Sequence, residues 1–303
     1  MKIPRWLLLA TLVPLLWGVW GALIEIPEKW AHPTFPSTLG YVVWSLTMAL
    51  LAVFALRTIH WKVQWDLRSV VYGCAVGFSG AAGQLLLFWV LAKGPAYIIF
   101  PIICLSPVVT ILLSLTLLGE RARLLGASGI GVSLFAIFFL SLQERGNAPV
   151  HGDNWLALTI SIFFMWGLQA YFMKSSAGAI SSEGLFFYMA MTALLLCPIA
   201  LLMTDFSAPI NWGSSGFFLS GSLQLLNSLG ALLLIYAIRL GKAIIVVPMI
   251  NGLFPMVTIV ISFLIYRRIP SIYNLIGLLL AVIAIFLMAF DEVGQGAATS
   301  NEA

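Results

Sequence analysis

Four amide side chains, Gln84, Gln169, Gln224 and Asn227, interrupt otherwise apolar runs of this 303-residue chain. An amide both donates and accepts hydrogen bonds, so such groups gathered in an apolar setting suit a zwitterion or a polyol. Gln224 and Asn227 are three residues apart and share one face of a helix. Asn251, beside Gly252, is a further candidate of this kind. The competing use of these amides is interhelical hydrogen bonding, worth about 0.6 kcal/mol each. Trp17 and Trp166 stand at matching positions of two similar halves and are candidates for the wall of an apolar pocket, where their rings would stack on a planar or hydrophobic ligand. Trp20, Tyr171, Trp89 and Tyr97 could add their rings to the same pocket wall. Trp6, Trp30, Trp61, Trp65, Trp155 and Trp212 sit at the ends of apolar runs and read as membrane-interface residues.

Ionisable chemistry is scarce. Glu25, Glu120 and Asp205 fall at or beyond the ends of apolar runs, and no Asp, Glu, Lys or Arg falls at mid-depth in one. A buried relay of acids is therefore not expected, nor a Lys/Arg pair for a phosphorylated ligand. Glu120 is expected to bond locally with Arg121 or Arg123. Cys74, Cys104 and Cys197 lack metal-ligand spacing, and His32, His60 and His151 fall in polar connections, so no metal site and no cofactor is expected. A membrane-embedded transferase would need clustered Asp, Glu or His, and a cation channel would favour acidic rings or carbonyl filters. Neither pattern is present, and no catalytic residue is assigned. There is no Walker-type loop, and no basic cluster interleaved with aromatics that would suit nucleic acid.

The elements that must position these residues are membrane spans. Hydrophobic residues make up 61% of the chain and charged ones 9%, against about 25% charged in soluble domains; mean hydropathy is +1.05. Ten runs reach the roughly 20 residues that cross a bilayer: 6–24, 38–57, 70–91, 95–118, 123–142, 155–174, 184–203, 216–238, 243–265 and 271–290. The first is too long for a signal-peptide core and lacks a cleavage site, so it reads as an uncleaved span. Ten of the fifteen Lys and Arg residues fall on the side of the N-terminus, which predicts both termini in the cytoplasm; Arg267-Arg268 is the awkward pair outside.

The chain also repeats itself after about 147 residues. Gly83, Gly94, Ala96 and Pro101 are echoed by Gly230, Gly241, Ala243 and Pro248. After a one-residue slip, Pro107, Val109 and Thr110 are echoed by Pro255, Val257 and Thr258, and Trp17-Gly18 is matched by Trp166-Gly167. Five spans per half is an odd number, so the second half enters the membrane with opposite polarity. The expected fold is an all-α integral membrane protein, ten transmembrane helices arranged as two inverted-topology five-helix repeats. The repeats cover 1–145 and 146–290, and a Gly-, Ala- and Ser-rich tail over 291–303 reads as disordered. Pro101, Pro107, Pro248 and Pro255 each remove a helical hydrogen bond and are candidates for gating or helix breaking. Stripes of small residues, Gly126, Gly129 and Ser133 with Gly277 and Ala281, suit helix packing within the chain or across a homodimer.

Trp17-Gly18, Gly94-Pro95-Ala96, Pro107 and Gly119-Glu120, with the repetition of the pattern, resemble the ten-helix EamA-type branch of the drug/metabolite transporter superfamily over residues 6–290. One departure is Tyr266-Arg267-Arg268, where the family often repeats a Gly-Glu. The resemblance implies an alternating-access carrier of small metabolites, often amino acids and often outward, in the inner (plasma) membrane. Its partners would be a small-molecule substrate and the lipid bilayer. The alternative is efflux of drugs or hydrophobic cations. The two five-helix halves would rock about a central cavity walled mainly by spans 1, 3, 4, 6, 8 and 9.

Overall fold

The computed structural model describes residues 4–91, 99, 102–142, 154–267 and 271–301. Among these the chain is all-helical, as expected where a backbone in lipid must satisfy its own hydrogen bonds. The helices are α1 Arg5–Leu23, α2 Ser37–Thr58, α3 Leu67–Leu91, α4 Pro107–Thr116 and α5 Leu124–Ser141 in the first half. The second half holds α6 Trp155–Ser175, α7 Ser182–Leu202, α8 Leu219–Leu240, α9 Ala243–Tyr266 and α10 Ile272–Asn301. Among the described residues, seven apolar helices are long enough to span a membrane, and three shorter apolar ones bring the set to ten. Leucines and phenylalanines such as Leu46, Phe78, Phe135, Leu195 and Phe286 project outward from them, as a lipid-facing surface requires.

Several helix starts follow from local chemistry. The Asp66 carboxylate accepts from Ser69 N at 3.1 Å and Ser69 Oγ at 2.7 Å, capping α3. Those bonds, the hydroxyl first, hold the Asp66 carboxyl below the usual carboxylate range. Ser181 Oγ accepts from Gly184 N at the head of α7, and Ser271 Oγ from Asn274 N at the head of α10. Pro107 does not kink a long fourth span; it opens α4 after a turn at Leu105–Ser106, in the first helical turn where its missing N–H has no partner to lose. Pro248 and Pro255 lie within a continuous α9. Pro101 and the Gly94-Pro95-Ala96 turn lie outside the described residues. The helical backbone of α10 continues through Asn301, beyond the point where composition predicts an unstructured tail. Asp291, the first residue of that segment, is 4% exposed and packs over Gly126.

The packing exchanges the two halves. Helix α1 lies against α8 and α9, and α6 lies against α3 and α4, so the first helix of each repeat is embedded in the other repeat. Outside this centre, α2 packs on α7 and α5 on α10. The small residues of α5 and α10 serve these contacts: Gly129 faces Met288 and Gly277 faces Leu140, while Ser133 Oγ donates to Pro248 O at 2.8 Å.

The repeated residues meet in two equivalent knots. A Cβ on Gly18 would stand 2.3 Å from Val257 Cγ1, and one on Gly167 would stand 2.5 Å from Val109 Cβ. A Cβ on Gly230 would stand 2.4 Å from Trp17 Nε1, and one on Gly83 would stand 2.5 Å from Trp166 Nε1. Thr110 Oγ1 donates to Gly167 O at 2.8 Å and Thr258 Oγ1 to Gly18 O at 3.5 Å. Each tryptophan thus lies on a glycine of the opposite repeat, and the next glycine admits that repeat's fourth helix.

Gly230→Ala and Gly83→Ala should each cost about 1–3 kcal/mol by overpacking against an indole, read as a lower unfolding temperature in detergent. Gly131→Ala, with nothing within 4 Å of its Cβ position, should leave that temperature unchanged or slightly raised.

Candidate functional site

Between the two knots lies a cavity of about 290 Å³, at the lower end of the roughly 300–1,000 Å³ found for ligand pockets and therefore sized for a small molecule. Helices α1, α2, α3, α6, α7, α8 and α9 wall it, together with residues 103–106 ahead of α4. Of the amides and indoles expected there, Trp17, Gln84, Trp166, Gln169 and Asn227 line it, as does Asn251. Gln224 does not. It is 4% exposed and stands behind the wall, where Asn227 Nδ2 donates to its Oε1 at 3.3 Å. Gln224 and Asn227 share a face of α8 and bond to each other, but only Asn227 reaches the cavity.

The repeat makes the scaffold symmetric, while the side chains make the walls differ. On α3 and α6, Gln169 lies over Gly80, whose Cβ would stand 2.2 Å from Gln169 Nε2; Trp166 lies over Gly83; and Gln84 is adjacent. On the opposite wall the equivalent of Gly80 is Asn227, that of Gln84 is Ala231 and that of Gln169 is Trp20. Trp17 Nε1 donates to Asn227 O at 3.1 Å and meets Phe254 edge-on at 6.3 Å between centroids. One wall therefore carries Gln84, Gln169 and Trp166, and the other is mainly aromatic, with Trp17, Trp20, Trp44 and Phe254 beside Asn227 and Asn251.

Several of these polar groups are unused within the protein. Gln84 and Gln169 hydrogen-bond to no other described residue through their side chains, and Trp20 Nε1 and Trp44 Nε1 are buried without a partner among the described residues. A buried donor left unpaired costs about 1–3 kcal/mol, so these groups are ready to gain from a polar ligand. Among the described lining residues none is charged. Trp44 and Ser106 were not singled out from sequence. Trp44 lies in the second span, away from the matched first spans of the two halves, whereas Ser106 before Pro107 could have been found from the helix break. Among the tryptophans read as interfacial, Trp6 is instead 8% exposed and packs beside Gly241.

Beyond the cavity, where α6 and α8 end and α9 begins, lies a charged network; this is here termed the basic end. Glu120 does not pair locally with Arg121 or Arg123. Its Oε1 accepts from Ala243 N at 3.1 Å and its Oε2 from Ile244 N at 3.0 Å, so the end of the fourth span caps the start of α9. The carboxylate thereby meets the positive end of the α9 dipole. Lys174, at the end of α6, stands 3.6 Å from Glu120 and donates to Arg239 O and Gly241 O. Arg239 in turn donates to Met173 O, Ile180 O at 2.8 Å, Ser182 Oγ and Ser176 Oγ. Spacing alone favours Arg121 and Arg123 as partners; instead the carboxylate accepts from the N–H donors of a helix start 123 residues away, which lack partners within their own helix.

The seam can be tested directly. In a background without the three native cysteines, Glu120→Ala should increase labelling of a cysteine at Val247 by a membrane-impermeant maleimide several-fold from the basic end. Labelling at a cavity position near the other end, Trp20, should change less.

The chain was compared with known proteins. The model of the EamA-like transporter family matches residues 4–142 and 153–290, in two copies that correspond to the two repeats. No curated protein matches the chain in sequence. A crystal structure of a protein 15% identical to it shares the fold, with a TM-score of 0.74 over 94% of this chain and 96% of the other. Ten apolar helices, an internal duplication and a matching family model in each half lead to one statement: the chain belongs to the EamA-like transporter family, within the drug/metabolite transporter superfamily.

Proposed function

We propose that this transporter is an alternating-access carrier of small neutral or zwitterionic metabolites, such as amino acids, which it moves outward across the inner (plasma) membrane. The observation that carries the reading is a cavity whose described lining holds no charged residue but presents the Gln84 and Gln169 amides and the unpartnered indole N–H groups of Trp20 and Trp44. A substrate with a polar head and an apolar or aromatic body would span it, head toward Gln84 and Gln169, body against Trp17, Trp20 and Phe254. An isolated ionised ligand would find no counter-charge among the described lining residues. A zwitterion carries its own, and the amides solvate both ends.

The exchanged packing amends the moving parts. Helices α1, α8 and α9 hold together, as do α6, α3 and α4, so the bodies that rock are these two groups rather than the sequence halves. At the basic end the Glu120 bridge to Ala243 and Ile244 joins one group to the other. We take that end, with both termini, as cytoplasmic, following the excess of Lys and Arg there. Opening inward then requires the carboxylate to leave the α9 start, with Lys174 at hand to hold it. Closing restores the cap.

Counterflow in proteoliposomes, with separate pools of amino acids, nucleosides, sugars and hydrophobic cations, tests this reading. Label should accumulate against the amino-acid pool. Accumulation only against hydrophobic cations would favour drug efflux through cation–π contacts on the aromatic wall, and silence in every pool from correctly inserted protein would reject the substrate class. Gln84→Ala and Gln169→Ala should each raise the half-saturating concentration up to about tenfold, the worth of one hydrogen bond, with normal insertion. Unchanged kinetics in both would remove the amide wall from the site.

A further inference from the structure

Glu28 lies in the π-helical turn Ile26–Trp30 that continues α1 at the end opposite Glu120, and it takes no part in the cavity wall. Its Oε1 and Gln224 Nε2 each lie 3.5 Å from the point where a Cβ on Gly40 would stand, and Ser220 Oγ lies 3.8 Å from the same point. Three polar atoms from two segments, the turn after α1 and helix α8, thus converge over one glycine of α2. Ser220 is fully buried, and its hydroxyl has no hydrogen-bond partner among the described residues. Gln224 presents its N–H group to this point because its Oε1 is already engaged by Asn227 Nδ2, and Asn227 lines the cavity. A polar path therefore runs from a carboxyl group, through one buried amide, to the substrate wall.

We propose that Glu28 is a proton-binding site whose protonation reverses the hydrogen-bond polarity of Asn227 at the cavity. This rests on the carrier reading above. With Glu28 ionised, the carboxylate accepts, directly or through one water, from the Gln224 amide N–H. Gln224 Oε1 then accepts from Asn227 Nδ2, and Asn227 Oδ1 remains as an acceptor for the ligand. With Glu28 protonated, its O–H donates. Gln224 turns its Oε1 toward Glu28 and its N–H toward Asn227, which must then offer Oδ1 inward to Gln224 and its own N–H to the ligand. One proton at Glu28 converts an acceptor on the cavity wall into a donor, without a charge entering the cavity. Binding of substrate and of the proton are linked, each altering the affinity for the other by the same factor.

The charges acting on Glu28 are Lys29 and Glu25, which pair with each other at 3.1 Å. The elements packed against it present neutral groups: Gly40 from α2, Ser220 and Gln224 from α8, and the turn Ser214–Phe218, which has no ionisable residue. Gly40 itself allows a clean intervention. An alanine there would meet Glu28 and Gln224 at ordinary contact distance, filling the space between them without forcing the helices apart.

The test uses the proton as its probe. Infrared difference spectra of the full-length protein in liposomes should show a protonated-carboxyl C=O band that titrates over about pH 4 to 9, a range bracketing the ordinary Glu value of about 4.3. The band should be lost in Glu28→Gln, retained in Gln224→Met and shifted in midpoint in Gly40→Ala. Amino-acid counterflow should vary with pH in the wild type and be flat with pH in Glu28→Gln and Gln224→Met. A spectrum unchanged by both Glu28→Gln and Gly40→Ala would overturn the proposal, as would a wild-type pH profile retained in Glu28→Gln. If no variant and no wild type shows counterflow, the carrier reading fails, while the infrared band still decides the proton site.

Discussion

The structure depends on the close approach of each repeat's first helix to the third and fourth helices of the other repeat. Gly18 and Gly167 let a valine-bearing helix come within side-chain distance of backbone, and Gly230 and Gly83 receive the indoles of Trp17 and Trp166. In lipid there is little hydrophobic drive between helices, so dense van der Waals packing and a few hydrogen bonds must hold them. These four glycines supply the density, while Trp17 Nε1 to Asn227 O and Thr110 Oγ1 to Gly167 O supply direction. Because the contacts cross between repeats, neither repeat has a complete centre of its own.

That exchange decides where the cavity can lie. The knots fix α1 and α6 side by side with α8 and α3, and the space left between them becomes the site. The same positions that make the knots symmetric leave neighbouring positions free to differ. Gly80 against Asn227, Gln84 against Ala231 and Gln169 against Trp20 turn a symmetric frame into one amide wall and one aromatic wall. A carrier needs both features: near-equal energies for its two facing states, which symmetry favours, and an oriented substrate, which asymmetry provides.

Charge is kept to the two ends and put to different uses. At the basic end Glu120, Lys174 and Arg239 bond mainly to helix termini, so cations and an anion stabilise free carbonyls and N–H groups rather than each other. The departure at Tyr266-Arg267-Arg268 removes the second glutamate that a repeat of Gly119-Glu120 would supply, and Arg267 ends α9 in the left-handed region, with φ of 52°. At the other end Glu28 stands beside uncharged groups. The two carboxylates thus stand at opposite ends of the protein in different settings.

Hydropathy and the 147-residue echo carried the number of helices, their approximate bounds and the duplication, because span length and residue period are local properties of a chain in lipid. The candidates Trp17, Trp166, Gln84, Gln169 and Asn227 were also legible, since polar or aromatic groups inside apolar runs are costly unless used. Which of them face one another was not. The rotation of α8 that hides Gln224 and shows Asn227, the reach of Glu120 to Ala243, the burial of Trp6 and the convergence of Glu28, Ser220 and Gln224 over Gly40 all join residues far apart in sequence. A helix's own pattern sets which face is apolar, but here nearly every face is apolar, so only the fit of glycine against tryptophan and valine selects the rotation and the neighbours.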